Sequence, residues 1–206
     1  IEGKKTSFPN PNHVAGSHNW RKSRETVQYT SASIKTMDKK AWKFGRFEIR
    51  ARIDTAMGSW PAIWLLGIEN EWPWCGEIDM LEFYRSKNEP SILANVVSGT
   101  NVRWQGKWRS VITPIKNFTQ SDPDWTRKYH VWRLDWTNEY LKLYIDDKLL
   151  NSTPLSETVN PNGSNPFLQP QYLLLNLALG ENGGDPSNSK FPITFEVDYV
   201  RVYQQE

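Results

Sequence analysis

From Arg46 to Ile53 the chain alternates strictly: Phe47, Ile49, Ala51 and Ile53 fall on one side, Arg46, Glu48, Arg50 and Arg52 on the other. Successive side chains of a β-strand point to opposite faces, so this is a strand buried on one face only. The same period returns over Tyr129–Trp136 and Phe195–Tyr203. Leu141–Ile145 and Lys148–Leu150 flank Asp146-Asp147 and read as a hairpin. Tyr172–Leu179 is an almost continuous apolar run, which suits a strand buried on both faces. No segment carries a helical stripe over three turns, and Pro9–Asn12, Thr158–Pro166 and Glu181–Ser189 read as loops. Many strands, few helices and long polar connections specify an all-β antiparallel sandwich. No Gly/Ser/Pro linker divides the 206 residues, so one domain over 1–206 is expected.

Composition excludes several classes. No apolar stretch approaches the roughly 20 residues of a membrane helix. With 11 Trp, 8 Tyr and 8 Phe the chain is too aromatic for a disordered segment. A net charge of +2 is too weak a bias to favour nucleic acid. A single cysteine, Cys75, builds no disulfide framework and reads as a packed thiol. His13, His18 and His130 have no metal-ligand spacing.

The chemistry concentrates in Trp72–Tyr84, where Glu77, Asp79 and Glu82 stand among apolar and aromatic residues. On a regular strand Glu77 and Asp79 share a face, and Glu82 points the other way. One extra residue near Met80-Leu81, a β-bulge, brings Glu82 back into phase. Three carboxylates on one face repel one another, and at least one pKa rises. Hydrolysis of a sugar acetal uses that inequality, with one carboxyl protonated as acid and one ionised as nucleophile about 5–5.5 Å away. The alternatives are a solvated acidic strand or cation ligands. The apolar flanks argue against the first, and the absence of an EF-hand-like mix of Asn, Gly and acids argues against the second.

Gly76-Glu77-Ile78-Asp79-Met80-Leu81-Glu82 resembles the signature of glycoside hydrolase family 16, in its laminarinase-like branch with the extra bulge residue. Tyr29–Ile34, Phe44–Ala51, Gly58–Gly67, Leu174–Ala178 and Val197–Tyr203 are similar to blocks of that branch in the same order. The resemblance implies a jelly roll of two curved antiparallel sheets with a glycan cleft on the concave face. It implies Glu77 as nucleophile, Glu82 as general acid/base and Asp79 as helper, in a retaining endo-hydrolase of β-1,3-glucan or mixed-linkage β-1,3-1,4-glucan. A non-catalytic glycan-binding sandwich and a hydrolase of another polymer, such as a galactan, are the other readings. No cofactor is needed for the chemistry. A structural Ca²⁺ is implied at the Gly45 carbonyl and the Asp198 carboxylate. The chain departs from the pattern at Val97, near an expected His, and at Ser98, near an expected aromatic. Ile1-Glu2-Gly3-Lys4 resembles the end of an early strand, so the first strands are expected to be missing and a sheet edge left open. A secreted monomer is expected, with self-association possible through that edge.

Sugar rings stack on aromatic faces, which gives Trp60, Trp64, Trp72, Trp74, Trp104 and Trp108 a role as cleft walls; the competing role is core packing. Trp132 and Trp136 share a strand face and are expected to be structural. Arg50, on a polar face, is expected either to hydrogen-bond sugar hydroxyls or to face solvent.

Overall fold

The computed structural model describes residues 1–205. Thirteen strands form two antiparallel sheets. The strands are β1 (Glu2–Pro9), β2 (Thr26–Thr30), β3 (Ser33–Lys35), β4 (Gly45–Ile53), β5 (Ser59–Gly67), β6 (Glu77–Ser86) and β7 (Glu89–Gly99), followed by β8 (Gly106–Pro114), β9 (His130–Trp136), β10 (Tyr140–Ile145), β11 (Lys148–Pro154), β12 (Gln171–Leu179) and β13 (Ile193–Tyr203). The seven-stranded sheet has the order β11-β10-β9-β4-β13-β1-β2, and the six-stranded sheet the order β3-β12-β5-β6-β7-β8. The architecture is the expected jelly-roll sandwich.

The apolar stripes read from the sequence face one another between the sheets. Phe47, Ile49, Trp132, Leu134 and Leu143 from one sheet meet Ile63, Leu65, Ile78, Phe83, Ile92 and Val96 from the other, all fully buried. Trp132 and Trp136 belong to this core, and Trp136 donates its indole N–H to the Phe167 carbonyl at 3.0 Å. The hairpin closes at Asp146-Asp147, with Ile145 opposite Lys148. Asp146 takes the left-handed conformation there (φ 51°), which short polar side chains tolerate.

Two expectations need correction. β12 is fully buried only at Gln171–Leu174 and Leu177, while Leu175, Asn176 and Ala178 are half-buried. Its sheet covers the core with one face and leaves the other open. The edge expected beside Ile1–Lys4 is occupied as well. Glu2 and Gly3 pair with β13, and Lys4 to Pro9 pair with β2, so β1 lies inside its sheet.

Candidate active site

The open face of the six-stranded sheet carries the three carboxylates. On β6, Asp79 pairs with Trp64 of β5 and Leu81 pairs with Ile63, so Met80 has no partner across that ladder. On the other side Asp79 pairs with Asn95 of β7 and Glu82 with Leu93, so Met80 and Leu81 together face the single residue Ala94. This is the bulge that the spacing demanded. Met80 and Leu81 both enter the core, fully buried, and Glu82 returns to the face of Glu77 and Asp79.

Each carboxylate has a different set of partners. The Trp72 indole N–H donates to Glu77 Oε2 at 2.5 Å. The Trp60 indole N–H donates to Glu82 Oε1 at 3.0 Å. Asn95 donates through one amide nitrogen to Asp79 Oδ2 at 3.0 Å and to Glu82 Oε2 at 2.9 Å. Asp79 and Glu77 also share a hydrogen bond.

Protonation follows from burial and these partners. Burial pushes the Asp79 carboxyl well above the usual range, and the charges of Glu77 and Glu82 push it further. Burial raises Glu82 to about 7, against the opposing pull of the Trp60 and Asn95 donors. Burial also raises Glu77, opposed by hydrogen bonds from Asp79 and Trp72. Asp79 is thus the group that keeps its proton and lends it to Glu77. Glu82 is poised to gain or lose one near neutrality.

The tryptophans divide. Trp60 and Trp72 hold carboxylates. Trp64 donates to Asn176 Oδ1 at 2.6 Å, on the neighbouring strand of the open face. Trp74 fastens two loops: its indole N–H donates to the Thr100 carbonyl at 3.0 Å, and its own carbonyl accepts from Asn160. Trp108 opposes Val97, is half exposed and lies 6.5 Å from the Trp72 ring. Sequence reading missed Asn95, although it is the lone amide in the apolar run Ile92–Val97. It also missed Tyr84, whose ring meets Trp60 edge-on at 5.7 Å. Burial, with the Glu82 charge, pushes the Tyr84 phenol up to about 12.

Arg50 does not join them. It lies on the outer face of the other sheet, bound to Asp198 Oδ2 at 2.7 Å. The pair expected to hold Ca²⁺ does not come together either. Gly45 starts β4, whereas Asp198 lies at the level of Arg50, five residues further along. At about 3.3 Å per residue that is roughly 16 Å. The Asp198 charge is already met by Arg50, and no cluster of three metal-binding side chains occurs among the described residues. The residues do not fit the ion. His130 is a core residue, bridging Asp146 and the Trp125 carbonyl, and Cys75 is a buried thiol pushed up to about 11 by burial. Volume alone does not mark the site. A groove of about 800 Å³ on the seven-stranded sheet is lined by Phe44, Arg46, Asp135 and Tyr203, and its Arg46–Asp135 pair is a satisfied two-bond ion pair.

The family model for glycosyl hydrolases family 16 matches residues 5–201. A glucan endo-1,3-beta-glucosidase A1 of Niallia circulans is 36% identical, over 87% of this chain and 27% of its own length. A beta-glucanase of Rhodothermus marinus is 34% identical, over 87% of this chain and 64% of its own length. The chain therefore spans from about a quarter to just under two thirds of these relatives. A solved structure, from work on endo-acting O-glycanases that prominent members of the human gut microbiota express to initiate mucin breakdown, superimposes with a TM-score of 0.85. It is 35% identical, over 98% of this chain and 72% of that one.

Proposed function

The chain belongs to glycosyl hydrolases family 16, and from that premise we propose that it is a retaining endo-hydrolase of β-1,3-glucan that also accepts mixed-linkage β-1,3-1,4-glucan. The observation that carries the reading is the placing of three carboxylates on one face of a bulged strand, each with its own set of hydrogen-bond donors. Glu82, protonated up to about pH 7, donates its proton to the glycosidic oxygen as that bond breaks. Glu77, whose anion accepts hydrogen bonds from Trp72 and Asp79, attacks the anomeric carbon and forms a glycosyl ester. Glu82, now ionised, takes a proton from water, whose oxygen attacks the same carbon and releases Glu77. Asp79 donates to Glu77 while Glu77 is an anion and loosens as the ester forms. Polymers of this kind do not cross membranes, which supports an extracellular site of action.

A second reading is favoured by one feature of the cleft. Across buried Val97, the half-exposed Trp108 ring stands on the strand next but one to Glu77 and presents an apolar face. A β-galactose ring, with its axial 4-hydroxyl, offers a broad C–H face to that indole. The likeness to the structure from work on endo-acting O-glycanases that initiate mucin breakdown supports cleavage inside a polymer other than β-glucan. Both readings use the same chemistry. Reducing-end release from laminarin, barley glucan, lichenan, agarose, carrageenan and a mucin glycan separates them. The first reading expects oligosaccharides from laminarin with wild type and none with Glu77→Gln. Turnover retained in Glu77→Gln would remove Glu77 from the mechanism on any substrate.

A further inference from the structure

Beside the catalytic centre a cavity of about 370 Å³ lies between two loops. Trp72, Pro73 and Trp74 line it from one loop, and Thr100, Arg103 and Trp104 from the other. Trp72 is shared with the centre, because its indole N–H is the donor that holds Glu77. The opposite wall is built in an unusual way. Trp104 leaves 54% of its surface exposed. Its backbone lies at φ 65°, in the left-handed region that suits glycine and crowds a large side chain. Arg103 places its guanidinium 5.1 Å from the Trp104 ring centre and reaches Glu71 Oε2 at 3.2 Å across the gap. The ion pair is solvent-exposed on both sides and adds little stability. It spans the two loops and sets the guanidinium against the indole. A large apolar ring is thus exposed to solvent, on a strained backbone, in a cavity that shares Trp72 with the catalytic centre. Core packing does not explain that arrangement.

We propose that this cavity is a distal glycan subsite, in which Trp104 is the stacking platform for one sugar ring and Arg103 hydrogen-bonds that sugar's hydroxyls. The chemical class is a neutral hexopyranose unit of the chain being cleaved, beyond the unit that Glu77 attacks. The inference rests on the reading of the open face as a glycan cleft and adds to it a dependence on chain length. Trp108, half exposed beside Trp72, continues the aromatic wall toward the centre.

The test compares Trp104→Gly, Trp104→Phe and wild type on a polymer that wild type cleaves and on a short aryl glycoside of the same sugar. The quantity read is the ratio of kcat/KM on the polymer to kcat/KM on the short substrate. In Trp104→Gly this ratio falls roughly tenfold, the size of one aromatic contact. In Trp104→Phe it largely recovers, because an aromatic face remains. Glycine also relaxes the left-handed backbone, so the Tm of Trp104→Gly holds or rises. An unchanged ratio, or an equal loss on both substrates with a fallen Tm, overturns the subsite and makes Trp104 a loop staple. A wild type that cleaves no β-linked polymer overturns the functional reading and the subsite together, and that outcome is distinct from an unchanged ratio.

Discussion

Glu77 and Glu82 are the same side chain in two settings, and the settings assign their roles. The proposed mechanism requires Glu82 protonated and Glu77 ionised, which gives a bell-shaped pH profile. Its basic limb falls near pH 7, where Glu82 loses its proton. Asn95 and Trp60 donate to the Glu82 anion and so oppose the rise in its pKa. Asn95→Leu removes one donor, and its basic limb should move to higher pH. Trp72→Phe removes a donor from the Glu77 anion, and its acid limb should move up. Profiles of kcat/KM measured side by side check both shifts; a basic limb that moves down in Asn95→Leu contradicts the assignment. The carboxylate trio was legible because three acids within six residues of apolar sequence are chemically odd. Their donors were not. An indole that stacks on sugar and one that donates to a carboxylate look alike in sequence, and Asn95 reaches its acids from 13 and 16 residues away, across a strand pair.

The strand β6 shows how an element makes chemistry possible. The bulge lets two apolar residues in succession enter the core, so that the acids keep one face. Deleting Met80 leaves a regular strand on which Glu77, Asp79 and Glu82 still alternate in phase. That variant should fold, at a cost of about 2–5 kcal/mol for the lost buried side chain. Inserting an alanine after Leu81 reverses the phase and drives Glu82 into the core, where an unpaired carboxyl is costly. The insertion should abolish cooperative unfolding and activity. Circular dichroism melts of the two variants decide it, and an insertion variant that melts like wild type contradicts the phase argument. The period-two pattern marked β4, β9 and β13 because a half-buried strand must alternate. It overstated the burial of β12, because an apolar run does not reveal that one face lines an open cleft. It also placed Arg50 on the polar side of its strand without saying that this side is the outer surface of the other sheet.

The whole molecule carries the cost of its site. Two sheets with facing apolar stripes were legible as a sandwich. The strand order was not: alternation fixes faces, not neighbours, and Gly45 pairs with Trp136 far along the chain. The misplaced Gly45–Asp198 ion site arose the same way, from a motif match that carried no register. Burying the acids also couples folding to pH. Glu82 binds its proton more tightly folded, at about 7, than at its ordinary 4.5, and Asp79 is raised in the same direction. For Glu82 the stabilising effect is therefore full below about pH 4.5 and is lost as pH rises through about 7, and Asp79 acts in the same sense. Glu82→Gln should gain on wild type by roughly 3 kcal/mol between pH 4.5 and pH 8. Urea unfolding at both values checks this, and a gap that closes at high pH contradicts it. The division of labour between Glu77 and Glu82 is tested most directly by azide rescue, with an activated aryl β-glycoside of the polymer that wild type cleaves. In Glu77→Ala, azide takes the place of the missing nucleophile and yields the α-glycosyl azide. In Glu82→Ala, azide attacks the glycosyl ester on Glu77 and yields the β-glycosyl azide. Proton NMR of the two products distinguishes them; the same anomer from both variants, or the two exchanged, would contradict the account.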